Sequence, residues 1–180
     1  MCRRIGLTQV SLPEEPFGEF LRQLRQSHDH GGVHLVAFEV SADITFDWFA
    51  SRNRLSDDDL VDSLLIHPTI RGSLPNLAIP ESKVSSGLSL ANPFDLDGRF
   101  AHSLHFGGAY WTPKENGKSA KTLAVAVCEA MFGLRFGEIA LAQTSEAWTP
   151  WFHGVAWDLT AVVFDRRLRR LWIFAVTDTD

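Results

Sequence analysis

The chain is 180 residues long, 45% hydrophobic and 22% charged, which excludes a disordered tail, a collagen-like repeat and a disulfide-stapled miniprotein. Seventeen Lys and Arg stand against twenty-two Asp and Glu, a formal net charge of -5, so bulk electrostatics argue against a nucleic-acid partner. Two cysteines, Cys2 and Cys128, are too few for a disulfide framework and fit a reducing compartment. The expectation is one globular domain over residues 1–180, cytoplasmic. No stretch approaches the roughly 20 apolar residues that span a bilayer, and residues 1–10 lack the apolar run of a signal peptide.

The first helix is predicted over residues 16–26, where Phe17, Phe20, Leu21 and Leu24 recur on one stripe and Arg22, Gln23, Arg25 and Gln26 occupy the other. The polar run Ser27-His28-Asp29-His30-Gly31-Gly32 stops it. Val33, Leu35, Ala37 and Val40, interleaved with His34, Val36 and Phe38, predict a strand apolar on both faces and therefore central. Ser56 ahead of Asp57-Asp58-Asp59 reads as an N-cap with three carboxylates at the positive end of a helix dipole, and Pro68 as the stop. Residues 71–95 are rich in Pro, Ser, Gly and Asn and read as a long irregular excursion, a candidate lid or binding loop.

Asp97-Gly98 signals a tight turn. Residues 99–106 then set Phe100, His102, Leu104 and Phe106 against Ala101, Ser103 and His105, the alternation of a strand. Gly107-Gly108 closes it. A second long helix is predicted over residues 119–132 with Gly133 at the stop position, and its nearly continuous apolar run predicts cover on more than one side and a place at the centre of the fold. Residues 138–143 read as a short strand. Residues 155–164 and 171–176, joined by a turn over 165–170, read as a C-terminal β-hairpin.

Candidate chemistry concentrates in the last third of the chain. Residues 148–157 hold Trp148, Trp151 and Trp157, three of the six tryptophans, in a bend with Pro150, His153 and Gly154. Tryptophan buries a large area and carries one N–H that wants a partner, which suits a core corner or a recognition rim. Trp148, Trp151, His153 and Trp157 are therefore the candidate binding residues. The chain ends Val176-Thr177-Asp178-Thr179-Asp180, and period-two geometry sets Asp178 and Asp180 on one face about 6.6 Å apart. Such oxygens suit Mg2+ or Ca2+, so these two are the candidate metal ligands, against the ordinary reading of a solvated tail. Whether Asp158 joins them depends on hairpin register. An even-numbered turn pairs Phe164 with Leu171 and puts Asp158 opposite Thr177, on the other face from Asp178; this is the register expected, since directly opposed carboxylates repel.

The remaining signals are weaker. Arg166, Arg167, Arg169 and Arg170 read as a solvated turn that discourages edge pairing, or as an anion contact. His28 and His30 flank Asp29 in a glycine-bounded loop without zinc-motif spacing, and His102 and His105 fall on opposite faces of their predicted strand. Cys128 sits in an apolar helix where a thiol stays protonated, no Ser occupies a Gly-x-Ser-x-Gly elbow, and Gly107-Gly108 lacks the Lys-Ser/Thr of a phosphate loop.

The fold expected is α+β: one largely antiparallel sheet ending in the C-terminal hairpin, with two or three packed helices and cover on both faces. With no catalytic set assembled, the function expected is that of a non-enzymatic binding or regulatory protein, of the immunity-inhibitor type, that engages a protein partner through an acidic surface and an aromatic rim. No cofactor, nucleic acid or membrane enters that reading. Two alternatives stay open. One is a metal-dependent hydrolase or nuclease using Asp178 and Asp180 with His153 or Asp158 around Mg2+ or Ca2+. The other is small-molecule binding between the tryptophan bend and the proline-rich excursion.

Overall fold

The computed structural model describes residues 5–112 and 116–179; Cys2 and Asp180 lie outside the described residues. The elements in chain order are β1 (Leu7–Val10), α1 (Phe17–Ser27), β2 (Gly32–Val40), α2 (Ile44–Ser51), α3 (Asp58–Leu65), α4 (Pro68–Ser73), β3 (Ser89–Ala91), α5 (Leu96–Phe106), α6 (Gly117–Phe132), β4 (Ile139–Thr144), β5 (Leu159–Asp165) and β6 (Arg170–Thr177). The strands form one sheet in the order β1-β2-β6-β5-β4-β3, with every neighbouring pair antiparallel. The chain is a mixed α+β protein.

The sheet has two interiors because its inner strands are apolar on both faces. Every residue of β5 is buried, and so is every residue of β6 after Arg170. On one face Phe38, Val40, Ala140, Val162, Phe164, Leu171 and Ile173 meet α2, α3, α4 and the segment that follows them. On the other, Val33, Leu35, Leu141, Ala161, Val163, Trp172 and Phe174 meet α1, α5 and α6. Period two sorts these side chains, and helices from different parts of the chain cover each side.

The C-terminal hairpin has the expected register. Phe164 faces Leu171, Asp165 faces Arg170 across a four-residue turn, and Leu159 faces Val176. Asp165 makes that turn: its Oδ1 accepts from the backbone N–H of Arg167 at 3.0 Å and of Leu168 at 2.8 Å, and its Oδ2 pairs with Arg135. The turn arginines are not a loose solvated tip. Arg169 pairs with Asp47 on α2, and Arg166 donates to Asn53 Oδ1 and to the Glu138 carbonyl, so the turn is stapled to the helix layer.

Several local expectations fail for identifiable reasons. Residues 99–106 are helical, not a strand. Leu96, Phe100 and Leu104 recur every four residues and are its buried apolar residues, and the Phe100 ring packs on Phe20 and Phe174 at centroid distances of 5.0 and 4.9 Å. Asp97 and Gly98 lie within the first turn of that helix. Pro68 begins α4 at its first position, where a missing N–H costs nothing. The cap of α3 is Asp57, and Ser56 is buried behind it. The proline-rich segment is no lid: Leu74, Leu77, Ile79, Val84 and Leu88 are buried and close one face of the sheet. Helix α6 starts at Gly117, capped by Asn116 Oδ1, and stops at Gly133. It buries Ala120, Ala124, Val127, Cys128, Met131 and Phe132 and turns Lys121 and Glu129 outward, so the sheet, not this helix, is the centre.

Two predictions follow from these contacts. His67 caps α4 by accepting from Thr69 N at 3.2 Å through Nδ1, which requires a neutral ring, and burial lowers its pKa from the ordinary 6.5 against a backbone hydrogen bond to Ile5 that raises it. The unfolded imidazole takes up a proton more readily, so this stability is complete above about pH 6.5 and is lost as pH falls below it. His67→Asn keeps an acceptor for the Thr69 amide and flattens the stability slope below about pH 6.5 in urea titrations, leaving the share due to His28 and His34, which burial shifts the same way. Asp165→Ala strands Arg135 and two amides and lowers unfolding free energy by about 3 kcal/mol in the same assay.

Candidate functional site

The candidate site lies at one end of the sheet, where β2 and β5 begin and β4 and β6 finish: Gly32 faces Thr177, Leu159 faces Val176, and Thr144 faces Thr160. Three loops converge there, residues 28–31, 107–112 and 145–158. These loops and the adjoining ends of β2 and α5 hold six of the chain's seven histidines at one pole: His28, His30, His34, His102, His105 and His153. Four of its six tryptophans, Trp111, Trp148, Trp151 and Trp157, join them.

Two buried carboxylates hold this pole together. Asp158, 2% exposed, accepts from Thr177 Oγ1 at 2.5 Å, from Gly154 N at 2.7 Å and from Val155 N at 3.2 Å, which ties the tryptophan bend to the end of β6. Asp178, 0% exposed, accepts from His30 N at 3.1 Å and from Ala109 N at 2.9 Å, which ties the first loop to the second. The second clasp needs glycine. A Cβ at Gly108 would sit 1.7 Å from Asp178 Oδ2, and one at Gly31 would sit 2.1 Å from the Thr177 carbonyl. The register sets the two carboxylates on opposite faces.

The tryptophan bend divides its residues between packing and exposure. Trp148 is half-buried and donates from Nε1 to Thr160 Oγ1 at 2.8 Å. Trp151 is half-buried, with its ring 4.9 Å from Phe152 and 5.2 Å from His34. His153 is exposed, and Trp157 is half-exposed on the side of α5. Trp157 forms one wall of a cleft of about 60 Å3 together with His28, Arg99, His102, Ser103 and Ser145, room for a few waters or one functional group. The cleft lies between the bend and α5; a separate open recess of about 370 Å3, lined by Gly87, Ser89, Leu90, Gln143, Thr144, Ser145 and Glu146, borders the proline-rich segment.

Helical geometry explains how α5 serves the cleft. Arg99 lies one turn from His102 and Ser103 on α5, so the three share a face, whereas a strand would set His102 opposite Arg99 and Ser103. His102 and His105 flank Phe106, with ring centroids 4.7 and 4.9 Å from it. His28 is buried behind the cleft, and its pKa is lowered by burial, against a hydrogen bond to the Leu24 carbonyl and the charge of Asp178, which raise it. Nδ1 lies 3.1 Å from that carbonyl, so Nδ1 carries the proton and Nε2 is the acceptor. The cleft offers a guanidinium from Arg99, an imidazole from His102, hydroxyls from Ser103 and Ser145, the carboxylate of Asp158, and an aromatic wall.

Two further features bear on function. Asp29, His30 and Asp178 each offer a ligand atom, all within 4.8 Å of one another. At the opposite end of the sheet, Ile44, Trp48, Phe49 and Arg54 line an open groove of about 390 Å3, with the Arg52 and Arg54 guanidinium carbons 4.4 and 5.5 Å from the Trp48 ring centre. Sequence reading missed this groove because α2 carries apolar residues on several sides, leaving Ile44 and Trp48 exposed. Cys128 stands apart from both ends, its thiol pushed up to about 12 chiefly by burial, which leaves it protonated and unreactive. No described helix is long and apolar enough to cross a membrane.

The clasps make a direct prediction: Gly108→Ala forces its methyl into the Asp178 carboxylate and destabilises the fold by about 2–3 kcal/mol, whereas Gly98→Ala, whose Cβ meets nothing within 4 Å, leaves the melting temperature close to the parent's. Differential scanning calorimetry of the two variants checks it. Comparison with protein families, with curated proteins and with solved structures finds no match to this chain.

Proposed function

We propose that the chain is a non-enzymatic binding protein that docks a protein partner on the histidine- and tryptophan-rich pole. The observation that carries this reading is the cleft that Trp157, Arg99 and His102 line, with Trp151, Tyr110 and His153 on neighbouring loops of the same pole. Tryptophan and arginine around a small, partly desolvated recess are a composition that concentrates binding energy at protein interfaces. The recess takes one partner side chain, with the Arg99 guanidinium, the Ser103 and Ser145 hydroxyls and the Asp158 carboxylate in its lining.

The state of the reactive groups supports binding over turnover. Asp158 and Asp178 are engaged by amides and a hydroxyl of their own chain, and Cys128 is buried and protonated. A regulatory role of the immunity-inhibitor type, in a reducing cytoplasm, is the finer form of the proposal; the low cysteine content and the net charge of -5 support it. The Trp48 groove offers the same aromatic and arginine chemistry and is the second location for a partner.

The tagged chain, its Trp157→Ala and Arg99→Ala variants, and Trp48→Ala as the rival-site control test this in lysates of the source cell. The expected result is one partner retained by the parent and by Trp48→Ala, with affinity reduced about tenfold or more in Trp157→Ala and Arg99→Ala. Loss in Trp48→Ala alone moves the site to the groove. Turnover of a small substrate with no partner retained rejects the proposal.

A further inference from the structure

Two signals that are weak when read separately, the Asp29-His30 pair and the carboxylate of Asp178, meet across 148 residues of sequence. We propose that Asp29, His30 and Asp178 form a binding site for one divalent transition-metal ion of the Zn2+ or Mn2+ class. The inference stands apart from the docking proposal and needs no partner.

Distance is the first argument. One ligand atom from each residue lies within 4.8 Å of the other two, and Asp29 Oδ1 is 2.9 Å from His30 Nδ1, so the two exposed side chains already converge. An ion with bonds of about 2.1 Å sets its ligands about 3.4 Å apart in a tetrahedron and about 4.2 Å apart across an octahedron. Rotation of Asp29 and His30, both exposed, closes the difference while Asp178 stays fixed.

Charge is the second and independent argument. Asp178 is 0% exposed, and among the described residues no lysine, arginine or histidine forms an ion pair with it. Its two oxygens accept one backbone N–H each, from His30 and Ala109, which leaves a lone pair on each. Buried charges are ordinarily paired or bound to metal. The buried carboxylate of Asp165, by contrast, has Arg135. A cation beside Asp178 supplies the missing countercharge on the side that faces Asp29 and His30.

Ligand chemistry selects the class of ion. An imidazole with two carboxylates suits Zn2+, Mn2+ and their neighbours, while Mg2+ and Ca2+ prefer all-oxygen shells. This differs from the Mg2+ or Ca2+ expected for C-terminal carboxylates alone. Three protein ligands leave at least one position for water, and Tyr110, whose ring centre is 5.5 Å from that of His30, borders the open side.

Chelator-treated protein titrated with Zn2+ by calorimetry, and with Co2+ by visible absorption, tests the site. One ion per chain is expected, with a visible Co2+ band. His30→Ala and Asp29→Asn each weaken binding about tenfold or more while circular dichroism and melting in EDTA match the parent; His67→Asn, remote from the cluster, binds as the parent does. Absence of saturable binding up to millimolar metal overturns the proposal, as does undiminished affinity in the His30→Ala/Asp29→Asn double variant. Mg2+ binding as tight as Zn2+ overturns the assignment to a transition ion.

Discussion

The fold depends on the turn that Asp165 builds. Its fully buried carboxylate accepts two amides of the turn and pairs with Arg135, and that arrangement fixes a four-residue connection between β5 and β6. Turn length sets parity, and parity sets which face every following side chain enters. One residue more would exchange the rows Leu171, Ile173 and Ala175 with Trp172, Phe174 and Val176, sending each into an interior shaped for the other. The same parity reaches the far end of the hairpin, where it turns Asp158 and Asp178 to opposite faces. The tryptophan bend and the glycine loops are thus clasped separately, by two carboxylates that a shifted register would bring face to face.

What the sequence revealed follows physical range. Helix α1 was legible because its stripe is one-sided, and α6 because a glycine stop follows a long apolar run. The hairpin was legible because two apolar runs flank an even, polar turn. Strand β2 reads correctly as a two-faced interior strand, though only the four-residue β1 separates it from the sheet edge. Helix α5 defeated the pattern because Phe100, His102, Leu104 and Phe106 satisfy period two, while Leu96, which completes the four-residue period, precedes the turn-like Asp97-Gly98 pair. For α2 the local signal existed: Asp43 accepts from Thr45 N at 2.8 Å and Phe46 N at 3.1 Å, an N-cap readable from its residue type. Its eight residues show no dominant face, so periodicity alone passes over it.

The candidate site divides in the same way. The bend over residues 148–157 announces itself by composition, and the separation of Asp158 from Asp178 follows from strand parity. The cleft was not legible, since it needs α5 to be a helix before Arg99 and His102 share a face. Nor was the meeting of His30 with Asp178, a contact between residues that only the pairing of Gly32 with Thr177 brings together. Local rules carry a reader as far as each element; the chemistry here arises where elements from opposite ends of the chain are paired.

The three most telling buried acids show where the fold accepts electrostatic cost. Asp165 has both amide donors and a guanidinium, the arrangement of a structural brace. Asp158 and Asp178 have amide or hydroxyl donors and no ion-pair partner among the described residues. A carboxylate removed from water without a countercharge lowers stability unless something returns the compensation. Both such residues lie at the pole where six histidines and four tryptophans gather, and neither lies at the turn. A chain selected for stability alone would neutralise that end as it has neutralised the other. The asymmetry accords with the binding proposed for that end, with Arg99 and His102 beside one clasp and Asp29 and His30 beside the other.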